Sequence, residues 1–538
     1  MNPIKAFAIR NKAVLIAIGA FFLPIIFIEI PVLRFTNGVF SYPIDDTCIH
    51  LTIAKNIATY GTWGITPHEF VSAASSLLYP LILAGVVKIF GAHLIIPFIV
   101  NVIAAIAVLI VIQKWLAREQ VTPNAQTWVL IAVVYLTPLP SLAMCGMEHI
   151  FHMLFTFLFI TNFSQELSKN LKTGEKIWKL PWTIYVYGVL MVMSRYEGAP
   201  IVAIACLILL IHRKYFLAVK LGLISALPIL LFGLYSVYHG NYFVPNSVLL
   251  KSGAPPLTME GLTAFFTDAI FTKLFFSVVG YNTVATQRLL FMLPIAFLLF
   301  RKPIQENNVY KYTLLILMSA VFIHLCLTGY AGFPRYEAYI IGCGVAVLGM
   351  LVAKYGKELF VGKLSINLCL TWLMAIFLVF PMILRCTNSF DKTSKGCIAF
   401  YELQYQMGHF LKNHYYDVPI ALGDIGAMSY YTVGKKMDLV GLGDIDVARS
   451  RKDHYNTTEF AEWLTKRDSI KIAIVADYFT DPQLRKKWVK ISTWRTPEEY
   501  QGNVFSWYAV DTTLAPELKK QLLEFQKTLP EGEIVTNY

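Results

Sequence analysis

The chain has 538 residues, of which 56% are hydrophobic and 15% charged, well below the ~25% charged residues of an ordinary soluble protein. Such a composition excludes disorder and speaks for a membrane protein. The formal charge of +12 could suggest a nucleic-acid partner, but residues 386–538 hold 19 Lys+Arg against 20 Asp+Glu while residues 1–385 hold 27 against 14, so the surplus belongs to the apolar part and no nucleic-acid surface is implied.

Apolar runs lie near 13–33, 93–113, 127–144, 148–163, 182–194, 197–212, 217–238, 288–301, 311–329, 338–354 and 364–385. A crossing takes about 20 residues, somewhat fewer inside a bundle, so the expected fold class is a polytopic α-helical membrane protein with about 11 transmembrane helices. The first run follows Lys5, Arg10 and Lys12 without a small-residue cleavage site and reads as an uncleaved anchor. Two further stretches, 76–90 and 261–280, are decided by charge. With neither spanning, 18 of the 27 basic residues of this part fall on the cytoplasmic side; a span at 76–90 would reverse that bias, against the positive-inside rule. Both are therefore read as helices on or dipping into the outer face.

This reading gives a multi-pass protein of the inner or plasma membrane with a cytoplasmic amino terminus. Residues 1–385 form the membrane domain, with outer loops 34–92 and 239–287, and residues 386–538 form an extracytoplasmic domain. In the latter, β-like runs at 419–422 and 472–475 alternate with helix-like stretches at 458–467 and 514–528, which predicts a C-terminal soluble α/β domain. Cys386 and Cys397 fall together after the last span, where an oxidising compartment would allow a disulfide. No Gly-rich phosphate loop is present, so nucleotide binding has no support.

With this topology the unusual polar clusters all reach the outer face: Asp45–Asp46, Glu148–His149, Arg195–Tyr196–Glu197, His239 and Asn241, Asn246 with Lys251, and Arg335–Tyr336–Glu337. Convergent carboxylates and cations at a membrane interface point to a site for a polar, anionic substrate. Ile49, Ile53, Ala54 and Ile57 recur at helical spacing before Gly61, so 46–60 is expected to be an amphipathic helix lying on the membrane. One helix start needs one capping carboxylate. Asp45 and Asp46, with His50 one turn on, leave one over for chemistry.

A carboxylate there could accept the proton of an attacking sugar hydroxyl. At an outer face the natural electrophile is a sugar on a polyprenyl phosphate, whose departing phosphate needs cations. Arg195, Lys251, Arg335 and His239 are the candidates, although a basic residue taken singly is more often a span-end anchor. His50, Glu148, His149, Glu197, Asn246, Tyr336 and Asp424 are expected to contact substrate. Hard oxygen ligands at Asp45, Asp46 and Glu148, with His149, would suit a divalent cation, magnesium or manganese. Asp444–Ile–Asp446 matches a pattern that holds metal and nucleotide sugar in soluble transferases, but lacks a nucleotide-binding context. Trp63, Tyr430, Tyr431, Trp494 and Trp507 offer faces on which sugar rings stack, most of them expected in the core.

Asp45–Asp46 with the following Val71–Pro80 segment resembles the first outer loop of GT-C membrane glycosyltransferases. Further similarity lies at Gly146–Glu148, Ser194–Gly198, Pro245–Lys251, Phe333–Tyr336, Gly423–Tyr431 and Asp438–Leu442. These motifs look most like the branch containing the mycobacterial terminal arabinofuranosyltransferase. The resemblance implies an inverting transfer from a polyprenyl-phosphate sugar donor to a glycan or glycolipid acceptor of the cell envelope, with Asp45 or Asp46 as base and a lean to Asp45. Thr52 and Ser72–Ala73 depart from the branch's pattern, so arabinose does not carry over. Two alternatives share the features: a glycan polymerase or ligase using a pyrophosphate-linked lipid donor, and a transporter or flippase of lipid-linked sugars, which would place charges near mid-membrane in repeated halves.

Overall fold

A computed structural model of the chain describes residues 11–174, 178–251, 258–264, 267, 281–328, 333–356, 366–455, 457–476, 481–500, 502–530 and 533–538. The helices of the apolar part are α1 (Lys12–Phe35), α2 (Asp46–Tyr60), α3 (Leu78–Phe90), α4 (Ile96–Arg118), α5 (Pro123–Leu136), α6 (Leu139–Cys145), α7 (His149–Thr173), α8 (Trp182–Ser194), α9 (Gly198–Ile211), α10 (Tyr215–Tyr238), α11 (Asn246–Lys251), α12 (Met259–Ala264), α13 (Tyr281–Leu299), α14 (Arg301–Glu306), α15 (Asn308–Leu327), α16 (Ala338–Tyr355) and α17 (Ile366–Phe400). Each apolar run of the sequence is met by one of them or, at 127–144, by the pair α5 and α6.

By length and composition α1, α4, α10, α15 and α16 can each cross a membrane, and the pair α5–α6, bent by 47°, makes a sixth candidate. Pro138 and Pro140 sit at that break, where the missing N–H groups interrupt the helical ladder. The shorter apolar helices α8 and α9 pack into the same bundle. Its core is continuous from Phe21 and Ile25 of α1 through Leu109, Phe157 and Phe163 to Leu317 and Ala346. α3 has 13 residues, about 20 Å of rise, too little to cross ~30 Å of hydrocarbon. The stretch 261–280 lies outside the described residues apart from the end of α12 and Thr267.

α2 differs from the expected helix on a membrane surface. Its Ile49 and Ile53 are buried in the core of the α/β region, while Leu51 and Ala54 pack against Tyr79 and Leu83 of α3. Apolar residues on both faces leave this helix sandwiched between α3 and the C-terminal region, and Gly61 ends it with φ +72°.

α17 has 35 residues and runs unbroken through residue 385, where the domain boundary was expected. A π-helical turn (Tyr401–Tyr405) and α18 (Gln406–His414) continue it. The expected Cys386–Cys397 disulfide is not formed: both thiols are free, and their places on one helix put eleven residues of rise, about 16 Å, between them.

The α/β region follows as β1 (Ile420–Leu422), α19 (Gly426–Tyr431), β2 (Lys436–Asp438), α20 (Ile445–Lys452), α21 (Thr458–Arg467), β3 (Ile472–Val475), α22 (Pro482–Arg485), β4 (Val489–Arg495), β5 (Val504–Ala509), α23 (Ala515–Phe525) and β6 (Ile534–Asn537). One mixed sheet has the order β2-β1-β3-β5-β4-β6, with β1 parallel to β2 and β3 and the rest antiparallel. Every residue of β1 and β3 is buried, the pattern of strands covered on both faces. Trp494 and Trp507 fill this core and are fully buried, so neither is available to a sugar.

Candidate active site

The two adjacent aspartates do different things. Asp45 Oδ2 accepts from Gly426 N (2.6 Å) and Oδ1 from Ala427 N (2.8 Å), so it caps α19 of the C-terminal region and makes no cap bond to its own helix. Gly426 is required by this approach, since a Cβ there would stand 2.1 Å from the Asp45 carbonyl oxygen. Burial, followed by the nearby Asp424 carboxylate, pushes the Asp45 carboxyl up to about 8. Asp46 turns the other way: its Oδ2 accepts from Arg335 Nη2 at 2.7 Å, and it lines a cavity.

Around that cavity the polar ends of several helices close into a network. Arg195, at the end of α8, donates from Nη1 to Glu148 Oε1 (2.6 Å) and from Nη2 to Glu197 Oε1 (2.5 Å). Nη1 also lies 3.0 Å from His149 Nε2. Ser75 Oγ donates to Glu148 Oε1 (2.9 Å), and His50 Nε2 stands 3.5 Å from Glu148 Oε2. Burial lowers the His50 imidazole despite the neighbouring Glu148. The Tyr336 ring lies against both guanidinium groups, 4.9 Å from Arg195 and 5.2 Å from Arg335.

The network is held by the backbone beneath it. Gly146 ends α6 with φ +65°, and a Cβ there would meet Tyr42 Cε1 at 2.5 Å. Thr47 Oγ1 donates to Cys145 O (2.5 Å) and Tyr79 Oη to Gly146 O (2.7 Å), which fastens the turn before Glu148 to α2 and α3. The turn carrying Arg335 is fixed from the other side. Arg385 of α17, 1% exposed, donates to Glu337 Oε1 (2.8 Å) and to Pro334 O (3.0 Å).

The cavity has a volume of about 260 Å³. Asp46, Ser75, Arg195, Glu197, Arg335 and Tyr336 form its polar end, and Pro200 and Ile201 of α9 with Ala320, Ile323 and Leu327 of α15 form an apolar wall. His324 also lines it and meets the Tyr339 hydroxyl at 3.3 Å. At the far end of the bundle the basic residues gather instead, with Lys354 3.9 Å from Glu119 and Lys214 over the Trp178 ring at 4.7 Å.

Of the residues singled out in the sequence, Asp46, Arg195, Arg335, Glu148, His149, Glu197, Tyr336 and His50 therefore meet in one network. Asp45 and Asp424 sit behind it at the contact with the α/β region, where Gln404 Nε2 donates to Asp424 Oδ2 (3.2 Å). Asn246 is fully buried and ties chain segments together. His239 is elsewhere: it stacks on Phe70 at 4.9 Å and lines a second cavity. The Lys251 side chain lies outside the described residues. Ser75, Arg385 and Ser247 enter the site or its support without having been singled out. Arg385 had a legible signal, a lone guanidinium closing an apolar run.

The residues proposed for a divalent cation do not fit one. Asp45 faces backbone amides, Asp46 and Glu148 face guanidinium groups, and among the described residues no cluster of three or more His, Cys, Asp or Glu side chains is spaced to hold a metal ion. Asp444 accepts from Asp446 N and Val447 N as the cap of α20, and Asp446 pairs with Arg467 at 2.7 Å, so that motif is structural as well.

A domain family of unknown function (DUF8728) matches residues 396–510. No curated protein matches the chain. Among solved structures it is similar to ArnT from Cupriavidus metallidurans, whose crystal structure is bound to undecaprenyl phosphate. The TM-score is 0.55 at 10% identity, over 95% of this chain and 99% of that one. That likeness is one of fold: an ArnT-like helical membrane bundle followed by an α/β region with a mixed sheet.

Proposed function

We propose that this chain is an inverting glycosyltransferase that moves a sugar from a polyprenyl-phosphate donor to a hydroxyl of an envelope glycan or glycolipid at the outer face of the membrane. The observation that carries the reading is the two-ended cavity: Asp46 beside Arg195 and Arg335 at one end, and an apolar wall of α9 and α15 at the other. A lipid phosphate has the same two ends. The undecaprenyl phosphate bound to the ArnT structure of the same fold supports the donor class. The basic cluster around Lys354 and Lys214 lies at the far end of the bundle, which supports a cytoplasmic far end and an outer site.

Asp46 is the better base of the pair, because its carboxylate faces the cavity while both Asp45 oxygens are held by amides. In the reaction the acceptor hydroxyl oxygen bonds to the anomeric carbon, its proton passes to Asp46, and the carbon–oxygen bond to phosphate breaks with the electron pair leaving on phosphate. Two guanidinium groups face three carboxylates, Asp46, Glu148 and Glu197. These pairs leave no surplus positive charge for a phosphate. Arrival of the donor draws Arg335 from Asp46 toward the phosphate, which makes Asp46 the more basic as substrate binds. Lys251 is kept as a candidate phosphate contact on its sequence position alone.

Transfer from a synthetic polyprenyl-phosphate sugar by the purified protein tests this reading, and full transfer by Asp46→Asn would end it. The pyrophosphate-donor alternative is separated by mass spectrometry of the lipid that copurifies, which also identifies the sugar.

A further inference from the structure

A second cavity, about 490 Å³, lies between residues 61–71, the end of α10 and the α/β region, and the reaction above does not use it. It falls in the ~300–1,000 Å³ range of small-molecule sites, and exposed Gly61 and His68 mark its mouth. Its wall includes the aromatic side chains Trp63, Phe70 and Tyr235. Two of its lining residues carry a buried polar atom without a partner, the donor Trp63 Nε1 and the acceptor Asn241 Oδ1. Asn241 spends its amide nitrogen on Phe70 O (3.4 Å) and His239 O (3.3 Å), so its oxygen is what remains. A hydroxyl can donate and accept, so a ligand rich in hydroxyls offers a partner to each kind of atom.

Charge argues against an ionic ligand. Glu69, Asp444 and Asp446 line this cavity with Lys435 and Arg467, and most of these charges are engaged within the protein, Arg467 with Asp446 at 2.7 Å, Lys435 with Asp468 at 3.2 Å and Asp444 as the cap of α20. The cavity is therefore aromatic, hydrogen-bonding and close to neutral, which are the properties that recognise carbohydrate.

Its position relates it to the first cavity. Asn246 stands between them: its N–H donates to Ser72 O (2.9 Å) and its Nδ2 to Leu442 O (3.3 Å). Ser72 and Leu442 adjoin Val71 and Gly443 of the second cavity, while Ser247, next along the chain, lines the first. We propose that the second cavity is a saccharide subsite that holds a neutral, hydroxyl-rich stretch of the acceptor glycan beyond the sugar that reacts. This rests on the transferase reading and adds to it that the acceptor is an oligosaccharide.

The test is calorimetric titration of the full-length protein in detergent with neutral disaccharides and tetrasaccharides of hexoses and pentoses, in parallel with undecaprenyl phosphate. A tetrasaccharide of the panel is expected to bind. Trp63→Phe, which keeps the ring and removes the N–H, and Asn241→Ala should each weaken it by about fivefold, and Trp63→Ala by about tenfold or more, all three with undecaprenyl phosphate binding unchanged. Oligosaccharide binding by none of the panel, or equal binding by wild type and all three variants, overturns the subsite. If those losses appear while Asp46→Asn still transfers sugar normally, the subsite stands and the transferase chemistry fails, so the two failures are distinguishable.

Discussion

The division of labour between Asp45 and Asp46 is set by which neighbour each carboxylate meets. Asp46→Asn keeps the shape of the network and removes the proton acceptor, so transfer should fall by about 10²–10⁴-fold, with undecaprenyl phosphate binding retained, in a radiolabelled-donor assay. Asp45→Asn should cost transfer far less, because an amide still accepts from one of the two N–H groups at α19. The same residue carries a pH dependence. Its carboxyl is raised in the folded protein from 3.8 to about 8, so between those values the folded state binds more protons than the unfolded one. Its contribution to stability is then full below about pH 4 and is lost as pH rises toward 8. Thermal unfolding in detergent should show that downward slope, and Asp45→Asn should flatten it; an unchanged slope would place the titrating group elsewhere. The pair itself was legible in the sequence. The assignment of roles was not, because it depends on Gly426 and Arg335, both hundreds of residues away in sequence.

At the scale of the element, α2 decides where the site forms. Its alternating apolar faces read as an amphipathic helix, but the sequence could not show that its second apolar partner is the C-terminal region rather than lipid. Lys55 Nζ donates to Tyr430 O (2.7 Å) and Tyr430 Oη to Ala92 O (2.8 Å), so α19 is bolted to α2 and to the end of α3. Gly426→Ala drives a methyl group into Asp45 and should destabilise that contact by about 1–3 kcal/mol. Limited proteolysis would show faster release of the α/β region than in wild type, whereas equal release rates would mean that α17 alone holds it. The ion pair between α17 and the turn before α16 makes a second case. Arg385→Met leaves Glu337 buried without its partner, at a cost of about 3–5 kcal/mol. The melting temperature should drop, and undecaprenyl phosphate should bind more weakly because Arg335 shares that turn. Helix positions were readable from hydropathy, and β1, β3, α21 and α23 from local pattern. The antiparallel half of the sheet and the run of α17 across residue 385 were not, since long-range pairing and helix continuity leave little local trace.

For the molecule as a whole, the +12 charge resolves into a bundle with basic residues gathered at one end and, at the other, a site network in which carboxylates outnumber guanidinium groups, beneath a nearly neutral α/β region. The second cavity lies where that region meets the bundle, whereas every residue lining the first belongs to the apolar part of the chain; the α/β region reaches the first only through Asp45, beside Asp46. The central claim is that Asp46 and the two arginines serve transfer from a lipid phosphate. The most direct measurement is sugar transfer by purified full-length protein from a synthetic polyprenyl-phosphate sugar, compared among wild type, Asp46→Asn and Asp45→Asn. The expected result is transfer by wild type, near-complete loss with Asp46→Asn at undiminished lipid binding, and substantial activity with Asp45→Asn. Transfer that survives Asp46→Asn at the wild-type rate would contradict the account.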